Sequence, residues 1–253
     1  MSIYINEDIF KWNYNKNSFN EATDGWQKSY SYLEHAEALL TIENSPHFMV
    51  DIISNLKRAV DFRINQLSKK YKLKELKCLF GAKGSYDLLV MLGVIRPLML
   101  EKLITLRNQV EHQFEIPNNI DLCKELTEFV WYFLKTTDLL TKYEYGDLCF
   151  QHPTKKHLFC DIEINFTNKW SFNGSGWLPQ EMYSLDKSNN YFSTTSTQSY
   201  FGIDQRLKIE QSDSDDNKEY YKELNDSDIW LNDFNFTDTN IKKMLVALYF
   251  EKI

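Results

Sequence analysis

Several things are scarce or missing in this sequence, and each absence closes off a class of protein. Only four cysteines occur in 253 residues (Cys78, Cys123, Cys149 and Cys160), scattered along the chain. That is too sparse for a disulfide framework and implies reduced thiols in a cytoplasmic protein. No run approaches the roughly 18 to 20 apolar residues that cross a bilayer, so no membrane partner is expected. The start, Met1-Ser2-Ile3-Tyr4-Ile5-Asn6-Glu7-Asp8, has no basic segment and no apolar core, unlike a signal peptide. There is no glycine-rich phosphate loop, no Rossmann fingerprint and no nucleophile elbow, and no cofactor is expected. Aromatic residues, by contrast, are plentiful at 15%. They allow a large core to form without cross-links.

Positive charge is also scarce overall, since the net charge is -7. An acidic protein is a poor general binder of nucleic acid, because phosphate contacts rely on Lys and Arg. The average hides an asymmetry. Residues 1–145 carry 18 Lys+Arg against 19 Asp+Glu, whereas residues 146–253 carry 11 against 17. Within 57–83, nine cations face only Asp61 and Glu75. Lys57, Arg58, Arg63, Lys69, Lys70, Lys72 and Lys74 are therefore candidate RNA-binding residues, the alternative being a solvated helix face.

Hydrophobic spacing divides the chain near residue 146. Before it, Met49, Ile52, Ile53, Leu56, Val60, Ile64 and Leu67 form one stripe of a long helix opening at Ser45-Pro46. Further helices are expected at about 24–42, from Pro97 to about Phe114, and from Asn118–Asn119 through Leu140, with an irregular stretch at 71–95. Pro117 should close the third. After Tyr145-Gly146, strands are expected at His157–Phe166, Lys169–Asn173, Tyr191–Thr195, Ser199–Glu210 and Asp228–Phe236. Gly174-Ser175-Gly176 and Asp213–Lys218 read as turns or loops, and a last helix as Thr239–Phe250. The expected fold is α+β: a helical bundle at 1–145, then a β-rich domain at 146–253 with a terminal helix.

The third helix carries the chemistry. At about 100° per residue, Met99, Leu103, Leu106 and Val110 form one apolar stripe, with Arg107 at its edge. A second row, Leu100, Ile104, Asn108 and His112, lies nearly opposite, and a helix apolar on two sides is buried on two sides. The second contact is expected to be another copy of the chain. A plainer reading pairs Arg107 with Glu111 at i, i+4 on a solvated surface.

Arg107-Asn108-x-x-x-His112, late in a helical bundle, resembles the motif of HEPN ribonucleases (higher eukaryotes and prokaryotes nucleotide-binding). The likeness covers roughly residues 24–142, including the long helix before the motif and the Leu- and Phe-rich helix after it. It implies a HEPN-like bundle and a homodimer that pairs through the motif helix. It also implies metal-independent cleavage of RNA by Arg107, Asn108 and His112 in a composite site. Imidazole titrates near neutrality and can move the proton of a ribose 2′-hydroxyl. Guanidinium stays charged and can hold the phosphate in the transition state. Products would carry a 2′,3′-cyclic phosphate and a 5′-hydroxyl. The family also implies a toxin–antitoxin or antiviral defence setting, with an antitoxin or regulatory protein as partner. A competing reading is a non-catalytic binding and dimerisation protein whose acidic β-rich domain docks a partner.

Two lesser signals remain. Cys149, His152, His157 and Cys160 offer zinc-competent side chains if a hairpin sets Cys149 opposite Cys160 and His152 opposite His157. Residues three apart on a strand face opposite sides, however, so an incidental core hairpin is the competing view. Asp213, Asp215, Asp216 and Asn217 lack the turn glycine and closing glutamate of a calcium loop and read as an exposed acidic loop.

Overall fold

A computed structural model of the chain describes residues 2–21, 25–42, 46–112, 119–186, 190–204 and 223–251. The chain is α+β, and its strands form two antiparallel sheets. It condenses into two compact units, residues 20–144 with 250–253, and residues 1–19 with 145–249.

The first unit is helical. It contains α1 (Lys28–Leu40), α2 (Pro46–Lys70), α3 (Leu73–Phe80), α4 (Ser85–Met91), α5 (Pro97–His112) and α6 (Ile120–Lys142). The expected stripe of α2 makes this helix the axis of the unit, packing on α1, α5 and α6. Ile52, Ile53, Leu56, Val60 and Leu67 are buried along it. Asn119 starts α6, its Oδ1 accepting from the backbone N–H of Asp121 and Leu122 at 3.0 and 3.2 Å. The irregular stretch 71–95 holds two short helices. The first ends at Gly81, whose φ of 72° is a left-handed cap that favours glycine. Pro117 lies outside the described residues.

The second unit contains β1 (Ser2–Asn6), β2 (Asn13–Glu21), β3 (Tyr143–Gln151), β4 (Phe159–Asn165), β5 (Ser171–Leu178), β6 (Tyr183–Ser184), β7 (Tyr191–Thr195), β8 (Gln198–Phe201), β9 (Ile229–Asn235) and α7 (Thr239–Phe250). Six strands run in the order β2-β3-β4-β5-β9-β8, and three in the order β6-β1-β7. Alternation places Phe150, Cys160, Ile162, Phe172, Leu231 and Phe234 inside. Tyr249 of α7 is buried, its ring 5.5 Å from Trp170 and 5.9 Å from Phe166.

Three expectations need correction. Residues 1–19 are not part of the helical domain. From Ser2 on they form β1, a short 3-10 helix at Glu7–Lys11 and β2 of the β-rich unit, and in β1 Ile3 and Ile5 alternate with polar neighbours and are fully buried. Gly174-Ser175-Gly176 is not a turn but the middle of β5. A Cβ at Gly174 would meet the Phe234 ring at 2.3 Å, and one at Gly176 the Phe159 carbonyl at 2.1 Å. These glycines answer to a close approach, not to a reversal of the chain. Finally, β3 starts at Tyr143, across the boundary expected at 146. The Asp213–Lys218 loop lies outside the described residues.

Candidate functional site

Pro97 opens α5, where its missing N–H costs nothing. Leu100 and Leu103 are both 0% exposed. The face they define is the packed face of the helix, so Leu100 lies in the chain's own core. It does not contribute to a second, outward row as expected. The outward face starts further along, at half-buried Ile104 and exposed Asn108. Arg107 follows Leu100 by two turns, to within about 20°. It therefore continues the packed face to its end, where it is half-buried. Its Nη1 donates to Asn108 Oδ1 at 3.3 Å. Lys102, on the same helix, pairs with Glu125 of α6 at 3.7 Å. His112 is the last residue of α5; its side chain, like those of Met99 and Glu111, lies outside what is described. About 140° of helix rotation separates its position from that of Arg107.

The basic segment splits into two populations. Arg63 is not a surface cation but is 0% exposed. Its Nη1 donates to Leu134 O, Thr137 Oγ1 and Asp138 Oδ1 at 2.9, 3.0 and 2.9 Å. Tyr30 donates to the other Asp138 oxygen at 2.9 Å. Burial and the carboxylate together push the phenol of Tyr30 above its usual range. Lys70 also turns inward, donating to the carbonyls of Thr141 and Tyr143 at 3.1 and 2.8 Å. These are orphan acceptors at the end of α6. Burial lowers its ammonium to about 8, against a smaller opposing effect of Glu144. Arg63 and Lys70 are thus removed from the RNA-binding set. A signal for Arg63 was available: residues 56, 60, 63 and 67 share the apolar spacing of α2. Lys57 pairs with Asp61, while Arg58, Lys69, Lys72 and Lys74 are exposed.

The zinc set is not brought together. In the β3–β4 register Cys149 faces Asp161, and Cys160 faces Phe150, one residue away from the alignment the set requires. A slip of one residue moves a side chain to the other face of the sheet. Cys160 is buried inside, and Cys149 is on the outer face. Burial and a hydrogen bond to Asp161 push the Cys149 thiol up to about 12, far from a metal-binding thiolate. His152 Nδ1 accepts from the N–H of Thr154 and Lys155, and His157 Nδ1 pairs with Glu223 at 2.7 Å. Among the described residues no group of three or more His, Cys, Asp or Glu is arranged to hold a metal.

The outer face of the six-stranded sheet holds a feature the sequence reading missed. Asp147, Asp161, Glu163 and Asp233 line an open cleft of about 580 Å³ together with Asn173, Ser175 and Asn232. Beside it runs a cross-strand row, Phe159, Trp177, Trp230 and Tyr200, with successive ring centroids 5.7 to 6.2 Å apart or paired in register. Alternation in Asp147-x-Cys149 and Asp161-x-Glu163 was the available signal. The sequence matches no known family model, no curated protein and no solved structure.

Proposed function

We propose that the protein is a metal-independent endoribonuclease of HEPN type. In this reading Arg107, Asn108 and His112 act in a composite site of a homodimer. The observation that carries it is the end of α5. Arg107 and Asn108 emerge there hydrogen-bonded to each other, one turn before the backbone position of His112, in a unit with a long helix before and after the motif. One imidazole takes the proton of the 2′-hydroxyl as its oxygen attacks phosphorus. A second gives a proton to the departing 5′-oxygen, and Arg107 holds the phosphate charge that builds up. The cleaved strand keeps the 2′,3′-cyclic phosphate. A second copy supplies the second imidazole. A toxin–antitoxin or antiviral defence setting, with an antitoxin or regulator as partner, follows from the resemblance to the family.

The test is cleavage of single-stranded RNA in EDTA, with the oligomeric state measured in the same buffer. His112→Ala is expected to lose about 10²-fold or more, the usual worth of a general acid–base group. The wild-type rate should depend on pH between about 5 and 8. Equal cleavage by both proteins, or a strictly monomeric active species, sinks the reading.

A second reading, a non-catalytic protein whose β-rich unit docks a basic partner, is favoured by the carboxylate-lined cleft. It wins if Arg107→Ala and His112→Ala leave the cellular phenotype intact while Asp161→Asn with Glu163→Gln abolishes it.

A further inference from the structure

The corner between α2 and α3 gathers positive charge. Lys69 stands in the last turn of α2, Lys72 precedes α3, and Lys74 and Lys77 follow on α3 itself. Lys69, Lys72 and Lys74 are exposed, and Lys77 is half-buried. Among the described residues none of these four ammonium groups has an ion pair, a hydrogen bond or a ring contact. Other lysines of the helical unit differ. Lys57, Lys102, Lys124 and Lys142 pair with carboxylates, and Lys28 and Lys135 lie over the rings of Phe62 and Tyr30. Residues 69–83 hold six lysines and one acid, Glu75. Lys72 is also held at a φ of 46°, in the left-handed region where a side chain is strained and glycine is not. Crowded like charges without partners repel each other, and a polyanion relieves that repulsion.

We propose that Lys69, Lys72, Lys74 and Lys77 hold the phosphate backbone of single-stranded RNA without reading its bases. The choice of RNA rests on the ribonuclease reading and deepens it, naming how the same substrate is held outside the Arg107 site. The corner suits nucleic acid better than an acidic protein or a membrane. Among the described residues no large apolar side chain is exposed between Lys69 and Lys83. A protein interface has an apolar centre, and a helix lying on a membrane needs an apolar face. Interfaces with nucleic acid are more polar and much more positive. Tyr71, the one aromatic residue in 69–77, is fully buried, so the corner offers no ring to a base. Affinity then comes from the phosphates, and phosphate contacts carry no sequence information.

The experiment uses the full chain and 2′-O-methylated oligonucleotides, which lack the attacking hydroxyl and read binding without cleavage. By fluorescence anisotropy, oligo(A), oligo(C) and oligo(U) of one length should bind within about threefold of each other. The logarithm of the binding constant should fall against that of salt with a slope of about −3, roughly −0.7 for each of four phosphates. Lys69→Ala, Lys74→Ala and Lys77→Ala should each weaken binding about threefold or more at low salt and make the slope shallower by about 0.7. Lys72→Gly should do the same without lowering the melting temperature, because glycine accepts that φ. Lys124→Ala removes an equal charge from a paired site and should bind within about twofold of wild type. The proposal is overturned if no oligonucleotide binds, if the four corner variants bind as wild type does, or if Lys124→Ala weakens binding as much as they do. Corner-dependent binding of polyglutamate or of phosphatidylserine vesicles in preference to RNA overturns it as well. The two readings fail separately. Corner-dependent RNA binding without cleavage removes the ribonuclease reading and keeps the corner. His112-dependent cleavage with binding that ignores the corner variants does the reverse.

Discussion

At the scale of single residues, Arg63 shows how far a charge can depart from the role its type suggests. It lies on a stripe of Leu56, Val60 and Leu67 and spends its hydrogen bonds on α6 and, through Trp26 O at 3.4 Å, on the segment before α1. Asp138 is nearly as deep, with a side chain 10% exposed. Removing one member of such a pair strands the other in a medium that solvates it poorly. Arg63→Met should therefore lower stability by about 3–5 kcal/mol in urea unfolding, and Asp138→Leu in the same chain should return part of the loss. A loss within about 0.5 kcal/mol, typical of a surface substitution, contradicts this account. Arg107 is the contrasting case: an arginine on the packed face of its helix that is only half-buried.

At the scale of elements, caps and spacing made the helices readable in advance. Pro46, Pro97 and Asn119 open α2, α5 and α6 where expected, and Thr239–Phe250 is α7 as expected. Strands were harder, because their hydrogen bonds go to residues far away in sequence. The glycines of β5 are the clearest example. A Gly-Ser-Gly sequence has the local chemistry of a turn, yet Phe234 and the Phe159 carbonyl occupy the space where side chains would be. Gly174→Ala should cost about 1–3 kcal/mol, as overpacking does, and Phe234→Leu should relieve much of it. Gly176→Ala meets backbone, so no single side-chain change should rescue it. Measured ΔΔG values from denaturant melts of the two singles and the Gly174→Ala, Phe234→Leu double decide the matter. Rescue that is equal at both positions counts against it.

At the scale of the whole molecule, the chain leaves the β-rich unit after its first strands, builds the helical unit, and returns. β1 is the central strand of its sheet, with partners about 180 to 190 residues away, such as Tyr4 opposite Ser184 and Ile5 opposite Phe192. Ile5→Ala should cost about 2–5 kcal/mol. Hydrogen exchange should report the loss at β6 and β7 while the amides of α2 and α6 keep their protection. Loosening confined to the helical amides would show that the first residues belong with the helices after all.

Local sequence determined those elements whose stabilising groups are close along the chain: helix starts, the apolar stripe of α2, and the Arg107-Asn108-x-x-x-His112 spacing on one helix. Tertiary structure alone decided the rest. It buried Arg63 and turned Lys70 inward, placed β1 and β2 in the two sheets, and set the β3–β4 register that separates Cys149 from Cys160. It also gathered four carboxylates from three strands. The physical reason is the same in each case. A helix closes its hydrogen bonds within four residues, whereas a strand register, a buried charge and a pocket are fixed by partners that only the folded chain brings near.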